Sequence, residues 1–538
     1  MAASDKLFRR LSLALLATVA LGLLPVRLPA GQTFTVICYH DVSDEPSHAA
    51  VDTIALRRLV EHFEWLKAEG WTPVSVADLL AARAGVKPLP LKAVLLTFDD
   101  GYTSFATRVL PLLELYRYPA VFAFVTEWIA PAPGSQVAYG DGLVPRERFV
   151  SREQLQAIAR SPWVEIASHS DALHHAVLAN REGNELPAAI ARRFDPATGT
   201  YEDDAAFTAR VRSDLERSAA VLASLTGRRP RTLVWPFGRY NAAGIAAAQA
   251  AGYSVLFGLQ PGLSDTDRLD AIPRYYPARD PGAAGLAAML VPEKQPGAHR
   301  FALVDPAAIA GNPNPADREA GLGRLIDVTR LFGLTAVHLD AFSGHDTDER
   351  TTTVYFPGSR LTSGPDYLGR MAWQLRTRAG VSVVLRVPLS GTDESDWRAL
   401  GRVVPFDGVM FTDFVSGRDD PARLQAALRV LREYQPEARL HLRVAATPAA
   451  AGDWAAFKPT LVWPEPAGED RLEAWLRLPA ARGRVALALP PTEAAHTDDW
   501  LARGLVHFGL AGPLPVREAV TPALQRAFSA GQDPFYRP

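Results

Sequence analysis

Short apolar runs alternate with longer stretches of helical period along the chain. In the first half the runs are Thr33–Tyr39, Ala93–Phe98, Ala120–Val125, Val164–Ser168, Thr232–Trp235 and Ser254–Gly258. Helical patterns such as Leu56–Glu69 and Asp203–Leu225 lie between them. In the second half the runs are Ala336–Leu339, Val381–Val387, Gly408–Phe411, Leu440–Val444, Thr460–Trp463, Val485–Leu489 and Val506–Leu510. Strands alternating with helices predict parallel α/β architecture, and the pattern repeats in each half. The expectation is two (β/α) barrel-like domains, the second of them shortened. Pro281-Gly282-Ala283-Ala284 through Pro292, then Gln295-Pro296-Gly297, read as a linker. The expected organisation is a leader over 1–30, a first domain over 31–280, a linker over 281–298 and a second domain over 299–538.

Composition narrows the classes. With 538 residues, two domains are the natural expectation, and 48% hydrophobic content excludes general disorder. A net charge of −2 gives no support to a nucleic-acid partner. One cysteine, Cys38, excludes a disulfide scaffold and any Cys-rich zinc site. Lys6, Arg9 and Arg10 precede the apolar stretch Leu11 to Leu24, and Leu28-Pro29-Ala30 could precede a cleavage site. That is the pattern of a secretory signal. An uncleaved anchor is the alternative reading of the same stretch.

In barrels of this kind the active site is built at the C-terminal ends of the strands. The first run ends in Tyr39-His40-Asp41 and the second in Thr97-Phe98-Asp99-Asp100-Gly101. The fourth ends in Ser168-His169-Ser170, with His174-His175 shortly after, and the fifth in Trp235-Pro236-Phe237-Gly238. Of two adjacent carboxylates after a buried strand, one can bind a metal while the other accepts a proton. A solvated acidic turn closed by Gly101 is the bland alternative. On a helix His169 and His174 would diverge by about 140°. They converge only if their segment is a loop, and His175 is a rival to His174. Asp100, His169 and His174 make a two-His, one-carboxylate set that leaves positions open on Zn²⁺, Fe²⁺ or a similar ion. Asp99 would then be the general base and His40 the general acid.

These segments resemble a known family. Thr97-Phe98-Asp99-Asp100-Gly101, His169-Ser170 with His174, and Trp235-Pro236-Phe237-Gly238 resemble the three motifs of polysaccharide deacetylases. This is the NodB-homology group, carbohydrate esterase family 4. An N-terminal acid in Cys38-Tyr39-His40-Asp41 resembles its circularly permuted, PgaB-type branch, the poly-β-1,6-N-acetyl-D-glucosamine N-deacetylases of biofilm exopolysaccharide systems. Tyr355-Phe356-Pro357 and the stretch Met371 to Gly380 resemble that branch's C-terminal glycoside-hydrolase-like domain.

The resemblance implies a permuted deacetylase barrel that hydrolyses N-acetyl groups of glucosamine residues and releases acetate. It implies Asp99 as base, His40 as acid, and Asp100, His169 and His174 as ligands of a divalent metal (Zn, Co, Ni or Fe). The implied substrate is the β-1,6-linked N-acetylglucosamine polymer, and an outer-membrane export porin is the implied partner. The expected substrate contacts are Trp235, Pro236, Phe237 and Tyr102 in the first domain, with Asp340 and Asp413 in the second.

Three departures stand out. The family is often lipid-anchored, yet this chain shows no lipobox, so a periplasmic form without a lipid anchor is expected. The wider group often places an Arg two residues before the third-motif Pro to orient the base; here that position is Val234, and a weaker base is expected. In the second domain an acid-rich family strand corresponds to Phe301-Ala302-Leu303-Val304-Asp305, and a Phe-His-Asp-Asp stretch to Phe411-Thr412-Asp413-Phe414. Asp340, Asp413 and Glu465 could line a cleft there, and glycosidases need two carboxylates. Binding of the cationic product is therefore expected rather than hydrolysis. Two other readings are a non-catalytic periplasmic escort for polymer export and a glycoside hydrolase acting through the second domain.

Overall fold

The structure, a computed structural model, describes residues 32–45, 51–140, 142–290, 298–343, 353–465, 469–489 and 497–510, with 525 and 528. The expected leader and residues 291–297 of the expected linker lie outside them.

The first sheet is built from β1 (Thr33–Tyr39), β2 (Ala93–Phe98), β3 (Ala120–Phe124), β4 (Val164–Ser168), β5 (Thr232–Val234), β6 (Val255–Phe257) and β7 (Ser264–Asp265). Their order is β6-β5-β4-β3-β2-β1-β7, and Thr72–Pro73 also pairs with β2. β1 with β2, β2 with β3, β4 with β5 and β5 with β6 run parallel, while β7 is antiparallel to β1. The result is a half-barrel in which β1 to β6 follow sequence order and β7 returns beside β1. Parallel strands are covered on both faces, so they read as near-continuous apolar runs. The six residues of β2 are all buried.

Helices Leu56–Ala68 (α1), Arg152–Arg160 (α2), Asp204–Thr226 (α3) and Ala242–Ala250 (α4) fall between the strands. Helix α3 starts where the Asp203 side chain accepts from the Ala206 N–H, and it stops at Gly227, whose φ of 72° suits glycine. It buries Phe207, Val211, Leu215, Ala219 and Leu222 at helical spacing. Each such aliphatic or aromatic side chain contributes roughly 1.5–3 kcal/mol of burial. Asp214 and Ser218 are buried on the same helix, and both serve the loop after β4, described below. The start of the expected linker is ordered: Ala283–Met289 is a helix with Leu286 buried.

The second sheet runs through β8 (Arg300–Val304), β9 (Ala336–Asp340), β10 (Ser382–Val387), β11 (Gly408–Phe411), β12 (Arg439–Val444), β13 (Leu461–Pro464), β14 (Ala486–Leu489) and β15 (His507–Leu510). Its order is β13-β12-β11-β10-β9-β8-β15-β14, and every pairing is parallel. The Val462 N–H donates to the Arg484 carbonyl at 2.9 Å, and a Val462–Val485 bridge nearly closes the barrel. Strand β8 holds the stretch Phe301–Val304. The strand count is that of a (β/α)₈ barrel. Phe301, Ala336, Val384, Met410, Leu461, Trp463 and Ala486 form an inner cluster, separate from the larger core that includes helix residues such as Leu322, Leu400 and Leu424. Gly509 lies against the Phe301 ring, where any Cβ would collide.

Candidate active site

The acidic part of the site follows β1 and β2. Asp99 is 2% exposed, and a charge so buried needs partners. Arg274 supplies them: Nη1 donates to Asp99 Oδ1 at 2.8 Å and to Thr97 Oγ1 at 3.0 Å, and Nη2 lies 2.8 Å from Asp99 Oδ2. This two-pronged contact fixes both carboxylate oxygens. Burial alone would lower the Arg274 pKa, but the Asp99 carboxylate holds it above the usual arginine value. The Cys38 thiol donates to Asp99 Oδ2 at 3.4 Å. Burial pushes that thiol well up, so it stands as a neutral donor. His40 Nε2 lies 4.0 Å from Asp99 Oδ2, and its ring meets the Tyr276 ring edge-on at 5.0 Å between centroids.

Arg274 takes the orienting role for which an arginine was sought in the third motif. Val234 does occupy the position where an arginine was sought, and the guanidinium arrives instead from the segment after β7. The Val234 backbone has its own role, because its carbonyl accepts from His169 Nδ1 at 2.8 Å. A carbonyl can only accept, so Nδ1 carries the proton and Nε2 keeps its lone pair for a ligand.

The imidazole part follows β4. Residues 169–175 form a loop, as the five-residue spacing required. Asp214 of α3 accepts from the Asp171 N–H at 2.9 Å and the Ala172 N–H at 2.8 Å. Burial nevertheless pushes its carboxyl up to about 6. Ser168 Oγ pairs with Ser218 Oγ at 2.7 Å and accepts from the Ser170 N–H at 3.0 Å. Ser170 Oγ accepts from the Leu173 N–H at 3.1 Å. So held, the loop buries His174 beside His169 and packs it on Trp128, Tyr139 and Phe237. His175 is exposed, and it is His174 whose ring nitrogen lies near Asp100 and His169.

Asp100, His169 and His174 each offer a ligand atom, and these atoms lie within 4.8 Å of one another. Two imidazoles and a carboxylate suit Zn²⁺ or a neighbouring transition metal. Cys38, His40 and Asp99 are equally close, but the neutral thiol and the guanidinium already on Asp99 disfavour a second cation there. Asp100 (φ 69°), Ser170 (φ 73°) and Phe237 (φ 57°) are left-handed without being glycine. Such residues cost roughly 1–3 kcal/mol each and cluster at functional sites.

Of the expected aromatic contacts, Phe237 is 41% exposed, whereas Trp235 is 0% and Tyr102 1% exposed. Trp235 stacks on Tyr240 and Tyr102 packs on Phe149, so these two support the rim from beneath. Pro236 is buried too.

At the strand ends of the second barrel the carboxylates are engaged. Asp340 pairs with Arg386 Nη1 at 2.9 and 3.0 Å, and burial pushes its pKa to about 6 against that pull. Asp413 accepts from the Leu389 and Ser390 N–H groups at 2.7 Å each. Burial opposes its ionisation, yet those bonds hold it below the usual carboxylate range. Glu465 meets Arg418 at 2.9 Å.

Both halves of the chain are similar to known proteins. The polysaccharide deacetylase family matches residues 87–256, and hypothetical glycosyl hydrolase family 13 matches residues 310–396. The chain is 35% identical over 360 residues to the poly-β-1,6-N-acetyl-D-glucosamine N-deacetylase of Escherichia coli (strain K12). That match covers 67% of this chain and 53% of the relative, so the chain spans about half the length of the curated relatives it matches. Among solved structures, a de-N-acetylase from Aggregatibacter actinomycetemcomitans is 34% identical, with TM-score 0.45, covering 48% of this chain and all of that one. The BpsB deacetylase domain from Bordetella bronchiseptica is 41% identical, with TM-score 0.42, covering 46% of this chain and 98% of that one. The chain thus carries a polysaccharide deacetylase domain followed by a glycosyl-hydrolase-like domain.

Proposed function

We propose that this protein hydrolyses N-acetyl groups on β-1,6-linked N-acetylglucosamine polymer, in a metal-dependent reaction that releases acetate and leaves free amines. The observation that carries the proposal is the buried Arg274–Asp99 pair beside the Asp100, His169 and His174 donors. A divalent ion bound by those three residues would supply Lewis acidity to the acetamide carbonyl and to water. Asp99, fixed by Arg274, takes the proton from the attacking water. As the amide C–N bond breaks, His40 gives a proton to the departing amine. Phe237, the exposed aromatic of the rim, offers a face to the sugar ring. The first domain over 31–280 does the chemistry and the second over 299–538 holds the product. With the leader over 1–30, the natural setting is the periplasm during polymer export; among the described residues no helix is long and apolar enough to cross a membrane.

For the second domain, the Asp340 carboxyl at about 6 is what a glycosidase acid would show. Engagement of Asp413 by two backbone N–H groups and of Glu465 by Arg418 argues against cleavage there. Acetate release from β-1,6-linked N-acetylglucosamine oligomers, with and without chelator and with Zn²⁺, Co²⁺ or Ni²⁺ restored, tests the reading. It expects release that stops with chelator and returns with metal. Oligomer binding without release under any metal would favour the export-escort role instead.

A further inference from the structure

Inside the second barrel lies a group of histidines that the deacetylase chemistry does not use. His338 is on β9, His441 on β12, and His299 immediately precedes β8. Strand β12 lies four places from β8 in the sheet, so the three side chains meet across the barrel interior. His299 Nε2 and His338 Nε2 are 3.0 Å apart. The three ring centroids are 5.1 to 5.4 Å apart, with interplanar angles from 52° to 72°. One nitrogen from each comes within 4.8 Å of the others. His338 is 0% and His441 2% exposed, and the Nδ1 atoms of both have no hydrogen-bond partner.

A buried imidazole has one N–H and one lone pair to satisfy, and each left unmet is costly. His507 shows the ordinary solution in the same interior. Its Nδ1 accepts from the His299 N–H at 3.0 Å, and its Nε2 donates to the Gly483 carbonyl at 2.8 Å. His299, His338 and His441 have no such full set. Burial holds all three well below the usual histidine pKa, so at neutral pH each is an uncharged donor.

We propose that His299, His338 and His441 form a second metal site, a three-imidazole centre for Zn²⁺ or a similar transition metal that ties β8, β9 and β12 together across the barrel. Three imidazoles without a carboxylate select Zn, Cu, Ni or Co over Mg or Ca. The group sits at the level of the barrel's inner apolar cluster, with Phe301, Met410 and Trp463, below the strand-end carboxylates. That position suits a stabilising ion rather than a catalytic one. His507 serves as a positioning residue, holding the His299 backbone through its Nδ1.

The test uses the full chain, stripped with chelator and reloaded with Zn²⁺. Elemental analysis should find two ions per chain in the wild type and one in Asp100→Ala/His174→Ala. X-ray absorption of that variant should show nitrogen neighbours at about 2.0–2.1 Å. Its thermal midpoint should rise with Zn²⁺, and the rise should vanish on adding His441→Gln. One ion in the wild type and none in Asp100→Ala/His174→Ala, with no zinc-dependent rise, would overturn the proposal and leave the three histidines as packing. Should His441→Gln fail to fold, the two stoichiometries decide the matter alone.

Discussion

The two barrels place acidic residues at the same kind of position, just past the C-terminal ends of parallel strands, and use them differently. In the first, Asp99 is held by a guanidinium on both oxygens while its neighbour Asp100 turns to the histidines, through a left-handed backbone that a plain acidic turn would not need. In the second, Asp340 is tied to Arg386, Asp413 to two backbone N–H groups and Glu465 to Arg418. A strand-end carboxylate therefore says little by itself. What its oxygens already hold decides whether it can take part in chemistry.

The largest way to sharpen that contrast is Asp99→Asn, which should cut acetate release by about 10²–10⁴-fold while the chain still folds. Steady-state rates and circular dichroism together check it. Arg274→Met should remove the guanidinium that compensates the buried Asp99 charge, lowering stability by up to about 3–5 kcal/mol in denaturant unfolding and lowering activity with it. His174→Ala should weaken metal binding by at least the ~10–100-fold that outer-shell changes cost, whereas exposed His175→Ala should leave it alone; metal titration separates the two.

A pH series addresses the second barrel. The Asp340 pKa is raised on folding, so its contribution to stability is present below about pH 4 and is lost as pH rises through about 6. The slope is at most about 1.4 kcal/mol per pH unit. Asp340→Asn should remove that slope from the unfolding profile. Smallest of all, Phe237→Ala should raise KM for the polymer several-fold and lower stability by about 0.5–1.5 kcal/mol, since the ring also packs on His174.

The candidate site was legible where chemistry sits directly after an apolar run. His40, Asp99, Asp100 and His169 all follow buried strands, and the loop carrying His174 was inferred from its spacing. Arg274 was not legible in this way. It lies in the irregular segment after β7, with no apolar run to mark its place, and only the three-dimensional fold brings it to β2. The signal that could have found it is physical: a buried Asp99 demands a cation, and the third motif offered none. The first strand of the second barrel escaped for a similar reason, since Phe301–Val304 was judged by its lost acidic residues rather than by its apolar ones. His338 and His441 share the period-two positions of inward residues such as Ala336 and Arg443, a pattern available in sequence but silent until the strands are closed around one interior.

The central claim is that the first barrel's site removes acetyl groups and leaves the glycan backbone whole. Mass spectrometry of a defined β-1,6-linked N-acetylglucosamine oligomer, incubated with metal-loaded wild type and with Asp99→Asn, reads both events at once. The account predicts deacetylated oligomers of unchanged length with the wild type and untouched oligomers with Asp99→Asn. Shortened oligomers, or deacetylation that persists in Asp99→Asn, would contradict it.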